Sequence, residues 1–103
     1  MAEKVDFKKM RKELLEIYES FVKNPEDENT INKAIRYCRE FGGLTVYNEI
    51  LVRRPVQKDI ELALNGLSTI YQYGLWDDSH EAFSNEKILT FAKQVLEELR
   101  KSE

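Results

Sequence analysis

His80, the one histidine of the chain, sits in Trp76-Asp77-Asp78-Ser79-His80-Glu81 beside three carboxylates, the stretch where acid–base or metal chemistry has the residue types it needs. An imidazole with carboxylates can hold a divalent ion. A structural zinc site, however, takes several His or Cys ligands, and the acidic spacing matches no calcium loop. Asp and Ser in such a run more often bond to nearby backbone, so the stretch reads as a solvated turn, with no metal site expected. No catalytic residue is assigned, because a nucleophile needs a base placed beside it and no motif here places one. Gly42-Gly43 has the position of a helix terminator, not of a phosphate-cradling loop. The lone Cys38 has no partner for an internal disulfide, and its apolar-face position makes it a small buried hydrophobe that suits a reducing compartment. The expectation is a protein that is not an enzyme and takes no cofactor.

Charge supplies the second set of candidates. The 103 residues carry 16 basic and 19 acidic groups, net −3, which argues against a general nucleic-acid binder. The average hides a gradient, since residues 29–58 hold six basic and two acidic groups between acidic flanks. A helix, a Gly-Gly turn and a short helix within that segment have the outline of a helix-turn-helix. The second helix of such a motif should offer basic or polar groups from its N-terminal half. Here it offers Thr45, Asn48 and Glu49, with Arg53-Arg54 only at its end, and Glu49 would meet phosphates unfavourably. Arg36, Arg39, Arg53 and Arg54, with Lys33 and Lys58, fit a basic patch for an acidic protein partner better, or a solvated face. A nucleic-acid-binding regulator using residues 29–58 is kept as the alternative.

These candidates must be carried by helices, because every apolar pattern runs at helical spacing. Phe7, Met10, Leu14, Ile17, Tyr18 and Phe21 predict a helix over about 6–23, with Lys9–Glu13 and Lys12–Glu16 spaced for ion pairs on its outer face. Asn24 should cap the next helix, with Pro25 in its first turn ahead of Glu26, Asp27 and Glu28. That helix presents Ile31, Ala34, Ile35, Cys38 and Phe41. A short helix over about 45–53 should bury Tyr47, Ile50 and Leu51, and Pro55 closes it. Residues 62–76 lack any charge in a protein that is 34% charged. They lie largely in a predicted central helix over about 56–73, ended by Gly74. Its core face is Val56, Ile60, Ala63, Leu64, Leu67, Ile70 and Tyr71. Leu62, Gly66, Thr69 and Tyr73 form an uncharged back face that either a neighbouring helix or a partner must cover. Ser84 should cap the last helix, whose inner face is Ile88, Phe91, Ala92, Val95 and Leu99.

Shifting the chain by 29 residues lays Ile31, Ala34, Ile35, Cys38 and Phe41 on Ile60, Ala63, Leu64, Leu67 and Ile70. That spacing resembles helical-hairpin repeats of the tetratricopeptide type, although the diagnostic Trp, Gly and Pro positions of those repeats are missing. The resemblance would imply stacked helix pairs. The fold expected is all-α, a single helical domain over 1–103 of about five helices, either an irregular bundle or helical-hairpin-repeat-like. The first residues lack the basic start and apolar run of a signal peptide, and no stretch reaches the roughly 18 apolar residues of a membrane span. A soluble, cytoplasmic protein without a membrane partner is expected. The function expected is non-enzymatic protein–protein interaction, as a small adaptor, inhibitor or accessory subunit, with a protein partner or a homodimer. Leu62, Tyr73 and Trp76 are the apolar candidates for that contact.

Overall fold

Helix periodicity in the sequence becomes four helices in the computed structural model, which describes residues 7–41 and 58–101. They are α1 (Phe7–Lys23), α2 (Glu28–Phe41), α3 (Lys58–Ile70) and α4 (Asn85–Lys101). No strand occurs among the described residues. The all-α class therefore holds, with four helices described where about five were expected. The predicted helix over 45–53, Gly42-Gly43, Pro55 and Val56 lie outside the described residues.

The helix α3 is the centre. It packs against α1, α2 and α4, and α1 in turn packs against α2 and α4, so the two outer helices flank an α1–α3 pair. Met10, Leu14, Leu15, Ile17, Tyr18 and Phe21 of α1 meet Ile60, Ala63, Leu64, Leu67 and Ile70 of α3 in one core, closed by Ile88, Ala92, Val95, Leu96 and Leu99 of α4. Leu15 and Leu96 join the buried faces beyond the predicted stripes because α1 and α4 each touch more than one neighbour. Phe91 stays half-buried, and Cys38 is half-buried against the core rather than enclosed in it.

The helix ends differ from expectation for local reasons. Asn24 does not cap α2: its backbone carbonyl accepts from Asp27 N–H at 3.2 Å and its side chain accepts from Glu26 N–H at 3.3 Å, so Pro25 occupies a turn. Asp27 is the cap instead, accepting from Asn29 N–H and Thr30 Oγ1, both at 3.1 Å. The buried face of α2 is also turned. Thr30, Ala34 and Tyr37 are enclosed while Ile31 and Ile35 are half-buried, because this helix lies against both α1 and α3. The helix α3 stops at Ile70, where Gln72 and Tyr73 N–H bond three residues back to Thr69 and Ile70 and tighten the chain into turns. Gly74 follows with φ 83°, a left-handed conformation open to glycine. Ser84 caps α4 as expected: its hydroxyl accepts from Lys87 N–H at 3.4 Å and its carbonyl from Ile88 N–H at 3.0 Å.

Two features lock the centre. Arg11 of α1 donates Nε to Asp59 Oδ2 at 2.5 Å and Nη2 to Oδ1 at 3.2 Å, a fork across which the Asp59 carboxylate sits in the first turn of α3. Gly66 lies where three helices converge. A Cβ there would come within 2.5 Å of both the Tyr18 hydroxyl and Phe91 Cε2, so only glycine permits this approach.

Candidate interaction surface

The turn between α3 and α4 is built from the residues singled out for chemistry. Asp77 Oδ1 accepts from Ser79 N–H and Ser79 Oγ, each at 2.8 Å, and His80 N–H returns to Asp77 O at 2.9 Å. The bonds from the Ser79 backbone and then its hydroxyl hold the Asp77 carboxyl below its ordinary value, with desolvation opposing and His80 adding a further lowering. His80 Nδ1 accepts from the N–H groups of Ala82 and Phe83 at 3.1 and 3.0 Å. That nitrogen is used inside the turn. Gly74 N–H donates to Asn85 Oδ1 at 2.8 Å, tying the start of the turn to the first residue of α4. Lys87 Nζ donates to Glu81 O. The Asp77, Ser79, His80 and Asn85 side chains serve the turn's own geometry, and among the described residues no three His, Cys, Asp or Glu groups are placed to hold a metal ion.

On this frame stand three rings and one aliphatic side chain. Trp76 lies 4.5 Å from His80 and 5.9 Å from Phe83 between ring centroids, nearly parallel to the latter, and His80 and Phe83 are 5.4 Å apart. Trp76 Nε1–H donates to Gln72 Oε1. Trp76 is nevertheless 44% exposed and Leu75 70% exposed, two large apolar side chains next to each other in water. Asp77, Asp78 and Glu81, all exposed, give the surrounding turn its negative charge.

The remaining candidates are scattered. Leu62 is 37% exposed on the first half of α3, away from the α3–α4 turn. Tyr73 is half-buried, its ring edge-on to Phe21 at 5.6 Å and 86°, so it belongs to the domain's own packing. The back face of α3 is thus divided. Gly66, about 40° round the helix from Leu62 at 100° per residue, is covered by Tyr18 and Phe91 while Leu62 remains at the edge of the buried arc. Arg36 and Arg39 are exposed on α2, and Arg53 and Arg54 lie outside the described residues. Leu75 was not distinguishable as a surface residue in the sequence. It belongs to the uncharged stretch, and only the early end of α3 and the left-handed Gly74 turn it outward.

No protein-family model, no curated protein and no solved structure matches this chain. Among the described residues no helix is long and apolar enough to cross a membrane.

Proposed function

We propose that this domain acts by protein–protein recognition without chemistry of its own, presenting Leu75 and Trp76 as a preformed apolar knob. The observation that carries this reading is the exposure of both side chains on a turn held by bonds to the Asp77, His80 and Asn85 side chains. An exposed Trp is among the residue types that most often anchor interfaces, and an anchor already held by Gln72, His80 and Phe83 loses little freedom on binding. The acidic residues beside it favour a partner pocket with a basic rim, which would speed encounter and set orientation.

Affinity capture with quantitative mass spectrometry tests this, comparing wild type with a Leu75→Ser/Trp76→Ala variant in lysate with and without nuclease treatment. Light scattering on both proteins covers self-association. The expected outcome is a protein, or a second copy of the chain, held by wild type and lost by the variant at unchanged helicity. Identical captured sets and identical masses in solution would overturn the knob. Partners that vanish only on nuclease treatment would transfer the function to nucleic-acid binding through the basic segment 29–58.

A further inference from the structure

A second surface, independent of the knob, is a groove of about 600 Å³ between α1 and α2, within the roughly 300–1,000 Å³ span of ligand sites. Glu13 and Glu16 line its α1 wall, and Lys33, Arg36, Tyr37 and Glu40 its α2 wall. Two things about these residues are unusual together. None of the five charged groups makes a hydrogen bond or ion pair with a described residue, although opposite charges face each other across the groove. And the Tyr37 hydroxyl, on a side chain only 8% exposed, is buried with no hydrogen-bond partner among the described residues. Buried hydroxyls in folded proteins nearly always have a partner, so an orphan against a polar groove marks a place where something else supplies it.

The sign of that something follows from what surrounds the phenol. Carboxylates reach it from both walls, Glu13 on α1 and Glu40 on α2; burial first, and then these two charges, push its ionisation well above the usual tyrosine range. The phenol is neutral, its oxygen able to accept a hydrogen bond and its O–H able to donate one to a carboxylate. Lys33 and Arg36 lie on the α2 wall, but neither supplies the phenol with a bond. A planar guanidinium or a primary ammonium, which only donates, satisfies the phenol oxygen and the facing carboxylates at once. We infer that the α1–α2 groove is a binding site for a cationic nitrogen group, with Tyr37, Glu13 and Glu40 as its ligands and Glu16 at its edge. The group is either the side chain of an arginine or lysine presented by another protein or that of a free polyamine, and the two share this chemistry.

The test is a titration of isotope-labelled full-length protein, followed by amide chemical shifts, with N-acetyl-arginine amide in one arm and spermidine in the other. Inorganic phosphate is the control of opposite sign. Saturable shifts on α1 and α2 around Glu13 and Tyr37 with either cation are expected, and the tighter arm identifies the source. Tyr37→Phe loses no existing bond and should stay folded, yet should weaken the cation about five-fold. A Glu13→Gln/Glu40→Gln variant should weaken it about ten-fold or more at unchanged circular dichroism. Absence of saturable shifts with both cations would overturn the site. So would full affinity in Tyr37→Phe, or shifts seen with phosphate alone, which would make Lys33 and Arg36 the binding groups instead.

Discussion

Tyr18 of α1 donates its buried hydroxyl to the Ala63 carbonyl of α3 at 2.7 Å, and that same oxygen stands 2.5 Å from where a Cβ on Gly66 would be. One bond thus fixes how near α1 and α3 approach and forbids a side chain one turn later. Gly66→Ala should destabilise the protein by about 1–3 kcal/mol through overpacking, partly offset by about 1 kcal/mol of better helix propensity. Tyr18→Phe alone should cost about 1 kcal/mol for the lost bond. In the double variant the removed hydroxyl makes room for the methyl group, so denaturant melts should show less destabilisation than the two singles added together.

Tyr18 and Tyr37 both have phenols raised above their ordinary value of 10.0, in each case mainly by burial. The unfolded chain therefore loses these protons first. The stabilisation is complete below pH 10 and declines as pH rises above it, since the folded state resists an ionisation that the unfolded state welcomes. Stability measured in urea from pH 9 to 11.5 should fall, and the slope should lessen in Tyr37→Phe, a substitution that otherwise changes little. An equal slope in that variant would place the alkaline sensitivity elsewhere.

The Arg11–Asp59 pair is largely removed from water, with side-chain exposures of 14% and 7%. Asp59→Ala takes the carboxylate from a guanidinium that stays where it is, and should cost roughly 3 kcal/mol or more. Replacing the pair together, by Arg11→Met/Asp59→Leu, should recover much of that loss, because single removal leaves a largely buried guanidinium without its Asp59 carboxylate. Chemical denaturation of the three proteins measures the difference.

Acid should open the α3–α4 turn late. Because Ser79 holds the Asp77 carboxyl below its ordinary 3.8, the Asp77–Ser79 bonds persist above that pH and are lost as pH falls through the lowered value. Trp76 is the sole tryptophan and reports this directly by fluorescence. Asp77→Ala should give at neutral pH the Trp76 emission that wild type reaches only in acid. His80→Ala, which removes the acceptor of two N–H groups, should shift that emission as well.

Periodicity made the helices and most of the core legible: Leu14, Ala63, Leu67 and Ala92 are all fully enclosed where spacing put them. Phase was less legible on α2. Ile31 and Ile35 define one apolar stripe, but a helix wedged between two others buries whichever arc faces both, and that arc contains Thr30 and Tyr37. Caps were readable by residue type where one candidate stood alone, as with Ser84. They were ambiguous where Asn24 and Asp27 competed, because the winner depends on which turn Pro25 occupies. Trp76 stood out by its residue type as a contact candidate, and it is 44% exposed. The Tyr37 groove was not, since an unpartnered hydroxyl is a property of what fails to arrive beside it in three dimensions.

The flanking arrangement of α2 and α4 on the α1–α3 pair has a consequence for how the molecule breathes. The helix α2 rests on α1 and α3, contributes three buried residues, and has no substantial packing against α4. It can therefore detach as a cooperative unit while α1, α3 and α4 keep their shared core. Amide hydrogen exchange in α2 should proceed through this partial opening, faster than in α3, whose protection should approach that of the whole fold. Any ligand seated between α1 and α2 would then slow exchange in α2 selectively.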